Sequence, residues 1–434
     1  MQGRSAGELA GDIERRVADH EILPGDRLPP VRVLAAELDL APNTVAAAYR
    51  RLGERGVTIG RGRSGTFVAD RPPVMVPSDP RIREGLQDLS SGNPDPDLLP
   101  DLGSMLQESG RPKVLYGDRS VDEELAAHGA RLLAVDGVQA DHLTVVSGGL
   151  DGMERVLQAH LRRGDRVAIE DPGYPSVIDL VGALGLVAVP MAIDDEGPRP
   201  DSLDTALDKG VAAVIVTPRA QNPFGSAISS ERASVLRSSL GRVPEVLVVE
   251  DDHAAAVSGA SIHSIAEGRE RWATIRSAAK TYGPDVRLAL LAGDATTVRR
   301  VEGRQRLGPG WVSHVLQRLV ARMMGDPDVN SEVARAADLY ASRRRTMLEA
   351  LRERGFDAHG VSGLNVWVQV PDETVAERAM DGRGFSVRSG GRFRIRSAPG
   401  LRLTVASLNE SEADQVADAL SDAVSDLGSG TRSG

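Results

Sequence analysis

The sequence predicts a two-part protein, with a small and mainly helical N-terminal domain followed by a larger α/β domain that has a mostly parallel sheet. Three observations support this prediction. The chain has 434 residues, more than one domain usually holds. Short β-branched runs alternate with helical stretches over most of its length, which is typical of a parallel sheet covered by helices. A proline-rich stretch without a hydrophobic period, residues 71–88, separates the two parts as a linker.

Residues 1–70 contain three helical stretches followed by a hairpin. Leu9 and Ile13 lie four residues apart, as on one face of a helix. A short helical stretch follows a Pro-Gly turn, and a third begins near Pro42, a residue suited to the first helical position. Two short strands then flank a tip rich in glycine and arginine at residues 60–65. Three helices and a basic hairpin predict a winged helix-turn-helix DNA-binding domain.

The helix that begins near Pro42 is the predicted recognition helix. Asn43 and Thr44 at its start are placed to meet base edges. Two arginines of this helix and two of the hairpin tip would reach phosphates, namely Arg50, Arg51, Arg61 and Arg63. The alternative interpretation is a generic helical domain with a solvated arginine-rich face.

The segment LPGDRLPPVRVLAAELDLAPNTVAAAYRRLGERGVTIGRGRSGTFV resembles the DNA-binding domain of GntR-type bacterial regulators almost from end to end. The resemblance implies a set of DNA contacts from the helices and the wing: Arg32, Arg50, Arg51, Gly65 and Thr66.

Beyond the linker, the pattern predicts a large α/β lobe at residues 89–325, a small α+β lobe at 326–427 and a disordered tail at 428–434. The predicted strands of the large lobe are Leu143–Val146, Arg166–Ile169, Leu186–Val189, Val211–Val216, Val246–Val249, Ala273–Ile275 and Arg287–Leu291. The small lobe begins with a long helix and adds three strand-like pieces: Leu364–Val370, Phe393–Ile395 and Leu401–Val405.

Chemically informative residues follow these strands, at the edge where an open α/β sheet binds its ligands. Ser147-Gly148-Gly149 opens a helix and offers backbone amides to a phosphate. The other strand ends present a ring, an amide, a carboxylate cluster with an imidazole, a hydroxyl with an amine, and a guanidinium: Tyr174, Asn222, Asp251 with Asp252 and His253, Ser277 with Lys280, and Arg287. A phosphorylated pyridine aldehyde needs such a set, so the sequence predicts a site for pyridoxal 5'-phosphate (PLP).

The lysine that would form the Schiff base with PLP can be chosen from few candidates, because the chain has only three lysines. Lys209 precedes a glycine at a predicted helix end, where cations are common, and Lys113 lies before the first strand of the sheet. Lys280 alone follows a buried strand. Each feature also has an ordinary alternative: a plain glycine turn, a surface lysine, a helix-capping aspartate or a core tyrosine.

Residues 89–425 resemble the fold-type-I aminotransferases, which use PLP. The matching segments are SGGLDG, EDPGYP, TPRAQNPFG, VVEDDH, SAAK followed by GPDVRLAL, and LRLTVAS. Joined to the GntR-like domain, they make the whole chain resemble the MocR-type regulators, and KTYGPDVRLAL with WVSHVLQ resembles a branch associated with vitamin B6 metabolism. The resemblance implies Lys280 as the Schiff-base lysine, Asp251 at the pyridine nitrogen and Tyr174 stacked on the ring.

The same resemblance implies further contacts. Asn222 lies near the phenolic oxygen, and the phosphate is surrounded by Gly148, Gly149, Ser277 and Arg287. Tyr116 would reach the phosphate of the partner subunit in a head-to-tail homodimer, with each DNA-binding domain over the partner's body. Arg402 would bind an amino-acid carboxylate in bidentate fashion; a solvent-facing strand arginine is the alternative.

Some positions depart from the aminotransferase pattern. His253 stands where most members carry a tyrosine, at the phenolic oxygen, and Leu150 replaces the usual polar residue after the phosphate turn. Ala279 precedes the lysine where serine is common. These departures favour a retained cofactor site over efficient transamination.

The function predicted from the sequence is that of a PLP-responsive transcriptional regulator that binds double-stranded operator DNA and controls vitamin B6 or amino-acid metabolism genes. Its small-molecule effector would be PLP, alone or with an amino acid or amine. The alternative is an active PLP-dependent aminotransferase with a vestigial DNA domain, and a weaker one is a DNA-binding protein with a dead PLP site.

Composition narrows the remaining classes. The chain has no cysteine, which excludes disulfides and a cysteine nucleophile and fits a reducing compartment. Its eight histidines do not approach metal-ligand spacing, so no metal is expected. The formal net charge is −10, but residues 1–70 carry ten arginines against ten acids and are neutral. No apolar run approaches a membrane span, and the start does not resemble a signal peptide, so a cytoplasmic location is expected.

Overall fold

The structure is a computed structural model that describes residues 5–18, 21–54, 57–60, 65–69, 85–108 and 113–430. The N-terminal domain comprises α1 Ala6–Ala18, α2 Val31–Glu37, α3 Pro42–Glu54, β1 Thr58–Gly60 and β2 Thr66–Val68. The two strands pair antiparallel as the predicted wing, with Ile59 opposite Phe67. The predicted winged helix-turn-helix is thereby confirmed.

A small apolar core holds the three helices together. Leu9 of α1 and Val45 and Leu52 of α3 are almost completely buried, as the four-residue spacing requires. The hydroxyl of Tyr49 donates a hydrogen bond to the carbonyl of Pro29 over 2.7 Å, which ties the recognition helix α3 to the start of α2.

The large lobe follows a short strand, β3 Gln87–Asp88. Its elements in chain order are α4 Leu102–Glu108, α5 Glu123–Val135, β4 Leu143–Val146, α6 Gly149–His160, β5 Arg166–Asp171, α7 Pro175–Ala183, β6 Val187–Asp194, β7 Gly197–Pro198, α8 Pro200–Asp208, β8 Ala213–Val216, α9 Ser230–Gly241, β9 Leu247–Asp252, β10 Trp272–Ser277, α10 Ala279–Tyr282, β11 Ala289–Gly293, α11 Ala295–Arg306 and α12 His314–Gly325.

The eight strands β4 to β11 form one sheet in the order β4-β11-β10-β9-β8-β5-β6-β7. Only β11 and the short β7 run antiparallel to their neighbours. Apolar clusters cover both faces of the sheet, because alternate residues of each strand point to opposite faces. The predicted large lobe with a mostly parallel sheet is therefore confirmed.

The small lobe comprises α13 Pro327–Glu353, β12 Ala358–His359, β13 Asn365–Gln369, α14 Glu373–Asp381, β14 Phe385–Ser386, β15 Arg388–Ser389, β16 Gly400–Thr404 and α15 Ala413–Gly430. Strands β12, β13, β16 and β15 form an antiparallel sheet that packs against α13, α14 and α15 around its own apolar core. None of the helices in the described part of the chain combines the length and apolarity that a bilayer crossing requires.

Three local predictions differ from the structure. Phe393–Ile395 is not a strand, because the backbone N–H groups of residues 395–397 donate to the carboxylate of Asp171 instead of to a neighbouring strand. The predicted tail begins at residue 428, but α15 continues as a helix to Gly430. The last two residues of the predicted linker form β3, which pairs with β14 of the small lobe.

Candidate functional site

Lys280 and Asp251 come together at the carboxyl edge of the large sheet. Asp251 lies near the end of β9, and Lys280 lies in the short helix α10 that follows β10. The two strands are parallel neighbours, with Ile275 opposite Asp251. This adjacency brings the predicted amine and the predicted carboxylate to one edge, as the order of strand ends indicated.

Asp251 lies in a buried environment that lacks a cationic partner for its Oδ1 among the described residues. Its side chain is buried, and its Oδ1 has no hydrogen-bond partner among the described residues. Burial, and then the negative charge of Asp252, raise the pKa of Asp251 to about 7. A buried polar atom without a hydrogen-bond partner destabilises the folded protein. The N–H of a protonated pyridine ring, which bound PLP would supply, could donate the missing hydrogen bond to Oδ1. The residues present thus fit the predicted cofactor.

Asp252 serves a different purpose from its neighbour because successive strand residues point to opposite faces. Its carboxylate accepts hydrogen bonds from Arg219 Nε at 2.8 Å and from Arg276 Nε at 2.7 Å. Burial alone would raise the pKa of Asp252, but these two guanidinium groups lower it. Asp136 completes the network, pairing with both arginines at 2.9 and 2.7 Å. The network anchors the end of β9 and leaves Asp251 free for the site.

Lys280 is mostly enclosed. Burial, and then the charge of Arg402, lower the pKa of its amine to about 8. Its Nζ donates to the carbonyl of Gly92 over 2.5 Å. An amine with a lowered pKa is more often deprotonated near neutral pH and is therefore a better nucleophile towards an aldehyde.

The predicted phosphate region forms around the start of α6. Gly148 has a φ of 105° and precedes this helix, whose first N–H groups face the turn. Arg287 donates to the carbonyl of Ser147 over 3.2 Å, and a Cβ on Gly148 would lie 3.0 Å from its Nη2. Gly149 and the buried Ser277 belong to the same region. Backbone amides and a guanidinium therefore come together at the start of α6, where an anion would bind.

Three further residues are predicted to contact the cofactor ring. Tyr174 precedes α7 and lines a small cavity together with Asp251. Asn222 accepts a hydrogen bond from Arg402 Nη1 over 3.3 Å. His253 is partly buried, and burial with the nearby Lys280 charge lowers its pKa to about 4, so its imidazole is neutral at pH 7 and can act as donor or acceptor.

Arg402 lies in β16 of the small lobe and is buried, which excludes the solvent-facing alternative. Its guanidinium lies 5.1 Å from the centre of the Phe393 ring and donates to the carbonyl of Ser90. Tyr116, by contrast, is 94 % exposed and contacts the edge of Trp311 at 5.6 Å between ring centres. Such exposure is consistent with its predicted reach towards a second subunit.

Sequence reasoning missed two residues that position the site, Glu170 and Gln221. The carboxylate of Glu170 accepts from the backbone N–H of Thr217 at 2.9 Å and from the Gln221 amide at 3.1 Å. The same Gln221 amide donates to the carbonyl of Pro172 at 2.8 Å. These bonds fix the loop that carries Asn222. An acid at the inner end of β5 was the only signal, and Gln221 carried none.

The buried carboxyl of Asp251 leads to a pH-dependent prediction for the cofactor-free protein. Asp251 has an ordinary pKa of 3.8 and a folded pKa of about 7, so the folded state binds its proton more tightly than the unfolded state. Folding stability therefore falls as the pH rises through this interval. We expect Asp251→Asn to remove that loss, so that the thermal midpoint of the variant minus that of the wild type increases from pH 4 to pH 7. A difference independent of pH would contradict the assignment.

The predicted DNA contacts lie on the helices α2 and α3 and on the wing. Arg32, Asn43 and Arg50 are exposed on α2 and α3, and Thr44 is partly exposed at the start of α3. Gly65 has a φ of +106°, and a Cβ there would lie 2.9 Å from Arg27 Nε, so only glycine fits at the base of the wing. Thr66 opens β2. The tip residues Arg61 and Arg63 lie outside the described residues.

Arg51 follows Arg50 on α3, but its side chain contacts the small lobe. It forms a 2.9 Å ion pair with Asp372, the residue that caps α14 of the small lobe. A second, longer contact of 3.8 Å joins Arg394 of the small lobe to Glu14 of α1. The sequence gives no sign of either contact, because each links residues that are far apart in the chain. In this conformation, a phosphate would have to displace Asp372 from Arg51.

The fold and the site define a DNA-binding regulator whose second domain is built like an aminotransferase. Residues 5–68 match the family described as bacterial regulatory proteins, gntR family, and residues 84–420 match aminotransferase class I and II. The chain belongs to the MocR-type regulators of the GntR family, in which these two domains are joined.

Particular relatives refine this placement. The chain is 39 % identical over 421 residues to the vitamin B6 salvage pathway transcriptional repressor PtsJ of Salmonella typhimurium, covering 96 % of this chain and 98 % of that protein. It is 27 % identical to the regulator TauR of Rhodobacter capsulatus, over 85 % of each chain. Kynurenine aminotransferase of Pyrococcus horikoshii shares the fold, with a TM-score of 0.73 at 20 % identity over 80 % of this chain and 92 % of that one.

Proposed function

We propose that this regulator senses PLP through Lys280 and transmits the occupancy of that site to its DNA-binding domain. The observation that carries the proposal is the buried Asp251, whose Oδ1 has no partner among the described residues and which lies at the sheet edge that also holds Lys280. A buried carboxylate at this edge is costly unless a cation reaches it. A protonated pyridine ring is a cation of suitable shape.

Each surrounding residue has a role in this proposal. Asp251 holds the proton on the ring nitrogen, and Tyr174 covers one face of the ring. Asn222 and the neutral His253 bond to the phenolic oxygen. The phosphate is held by four groups of the strand ends: Gly148, Gly149, Ser277 and Arg287. When bound, PLP supplies an aldehyde that captures amines, and Arg402 selects those that carry a carboxylate.

A head-to-tail homodimer is part of the same proposal. Leu115, Tyr116 and Leu307 are each more than 70 % exposed, and large apolar side chains with that exposure are typical of a surface that another subunit covers. Tyr116 would then contribute to the phosphate site of the partner. Sedimentation of the full chain should show a dimer. The Tyr116→Phe variant should remain a dimer but bind PLP more weakly.

The similarity to PtsJ supports a role in vitamin B6 metabolism. We infer that the regulated genes belong to synthesis or salvage of this vitamin, and that the protein acts in the cytoplasm, where the chromosome lies. A gel shift with DNA from upstream of its own gene, with and without PLP, tests the proposal directly. A PLP-dependent change in affinity supports it, and PLP binding without any such change rejects it.

DNA recognition carries its own prediction. Arg50→Ala should weaken binding to every DNA sequence, because Arg50 is proposed to contact a phosphate. The slope of log affinity against log salt should fall by about 0.9 for the lost contact. Arg16→Ala is the matched control, since Arg16 is an exposed arginine of the same domain that pairs with Glu21 at 3.0 Å. Equal salt slopes for Arg50→Ala and the wild type would reject the contact.

Aminotransferase activity is the second candidate function. The lowered pKa of Lys280 and the buried Arg402 favour it, because transamination needs a deprotonated amine and a carboxylate anchor. The experiment is turnover of an amino acid and a keto acid by the PLP-loaded protein. Stoichiometric reaction without turnover favours sensing, and sustained turnover favours the enzyme.

A further inference from the structure

The chain enters the aminotransferase-like domain along the small lobe. Leu89 is buried in the small-lobe core, its N–H donates to Ser386 O over 2.8 Å, and its carbonyl accepts from Thr404 N over 2.7 Å. The preceding strand β3 pairs with β14. Going towards the N-terminus from β3, residues 69–86 of the sequence lead to the DNA-binding domain. The next three residues after Leu89, Ser90–Gly92, are called the latch segment below.

A tight turn shapes the latch segment. The carboxylate of Asp88 accepts hydrogen bonds from Ser90 N at 2.8 Å and from Ser91 N at 3.1 Å. Gly92 then donates its N–H to Thr404 Oγ1 over 3.0 Å. The segment is thus bonded to β16, the strand that carries Arg402.

The carbonyls of the latch segment bind the two cations of the proposed site. Gly92 O accepts from Lys280 Nζ over 2.5 Å, and Ser90 O accepts from Arg402 Nη2. A Cβ on Gly92, whose φ is +70°, would lie 3.0 Å from Arg402 Nη1, so the glycine packs directly on the guanidinium. The latch segment therefore occupies the amine and the carboxylate anchor together.

We propose that the latch segment is an internal competitor of the effector: it holds Lys280 and Arg402 in the ligand-free protein and is released when an amine that carries a carboxylate binds. This inference rests on the proposed function of the site. A carboxylate can accept two parallel hydrogen bonds from a guanidinium and neutralise its charge, whereas a backbone carbonyl offers a single neutral oxygen, so the carboxylate displaces Ser90 O. Condensation of the Lys280 amine with the aldehyde of PLP would release water and remove N–H groups from this nitrogen, so that its hydrogen bond to Gly92 O would be lost as well.

Release reaches the DNA-binding domain by chain connectivity. The latch segment continues through Leu89 and β3 into the residues that lead to α1–α3. Leu89 and β3 attach this connection to the small lobe, so release of the neighbouring latch segment changes the point at which the DNA-binding domain is attached. The coupling is reciprocal: an effector that loosens the latch segment is bound more weakly while the segment stays bonded. A closure of the two lobes is not needed for this signal.

Two probes of the wild-type full chain test the competition. N-(5'-phosphopyridoxyl)-L-alanine carries ring, phosphate and carboxylate, whereas pyridoxamine 5'-phosphate lacks the carboxylate. Hydrogen exchange followed by mass spectrometry should show faster exchange in residues 88–93 with the alanine adduct than with pyridoxamine 5'-phosphate. Binding of each probe is measured separately by fluorescence. If both bind and exchange in this segment is the same with each, the latch is rejected while the cofactor site stands; if neither binds, the proposed function fails as well.

A matched pair of variants tests the coupling to DNA. Gly92→Ala places a methyl group against Arg402, whereas Gly85→Ala has the same kind of backbone, with φ +88°, and nothing within 4 Å of the new Cβ. Without any probe, Gly92→Ala should exchange faster at residues 88–93 and shift DNA affinity about fivefold or more, in the direction that the alanine adduct shifts the wild type. A shift of equal size in Gly85→Ala, or none in Gly92→Ala, would overturn the proposal.

Discussion

Lys280→Ala should abolish the visible absorption band that the wild-type protein acquires when PLP is added. The chain has only three lysines, and Lys280 is the one at the sheet edge beside Asp251. Its lowered pKa, about 8, leaves about one tenth of the amine deprotonated at pH 7, a much larger fraction than for a lysine with the ordinary pKa of 10.5, and this favours capture of the aldehyde. Alanine has no nitrogen to replace it. We therefore expect complete loss of the band, and loss of cofactor fixed by borohydride.

Lys209→Ala is the control for that experiment, because Lys209 caps the end of α8 and lies away from the site. It should keep the band at full strength. PLP should still bind Lys280→Ala weakly through the phosphate and ring contacts, and this residual binding can be followed by dialysis. A band that persists in Lys280→Ala and disappears in Lys209→Ala would reverse the assignment of the reactive amine.

Asp252→Ala should destabilise the aminotransferase-like domain by about 3–5 kcal/mol, since it leaves two buried guanidinium groups without their shared carboxylate. Arg219 and Arg276 are 7 % and 3 % exposed, so water cannot solvate them in place of Asp252. Urea unfolding measured by tryptophan fluorescence reports on this domain alone, because all three tryptophans lie beyond residue 89. The midpoint should fall clearly.

Asp136→Asn is the matched control for Asp252→Ala. Asp136 pairs with the same two arginines but is 24 % exposed, so water compensates part of the loss and the destabilisation should be smaller. The pH dependence is specific as well. Because the pKa of Asp252 is lowered by folding, its contribution is complete above its ordinary pKa of 3.8 and is lost progressively as the pH falls from there through the lower folded pKa. Equal midpoints for Asp252→Ala and the wild type at pH 7 would show that the network contributes little.

The parallel sheet and the order of its strand ends were predictable because each depends on local sequence. A buried strand appears in the sequence as a short β-branched run. The residue that follows a parallel strand lies at the edge of the sheet where ligands bind, and this does not depend on the order of the strands in the sheet. That Lys280 and Asp251 lie at the same edge of the sheet was predicted in this way. The division of work between Asp251 and Asp252 also follows from strand alternation, although their partners could not be inferred.

Contacts between distant residues could not be predicted from one sequence. Arg402 and Ser90 are separated by 312 positions, and Lys280 and Gly92 by 188. Glu170 of β5 and Gln221 of the loop after β8 are 51 positions apart, and their approach depends on the packed sheet. The irregular stretch at Phe393 was misassigned as a strand because its apolar residues alternate, while the carboxylate of Asp171 takes its backbone donors.

The guanidinium of Arg51 has two partners that exclude each other: the carboxylate of Asp372, with which it pairs in this structure, and the DNA phosphate that it is proposed to contact. The Arg51 and Asp372 side chains are only 25 % and 18 % exposed, so water reaches the pair only in part and Asp372 holds Arg51 in this conformation. Added salt screens this tether and DNA attraction alike. At low ionic strength Asp372 therefore competes with a DNA phosphate for Arg51, and operator affinity should rise less steeply on dilution of salt than the number of arginines suggests.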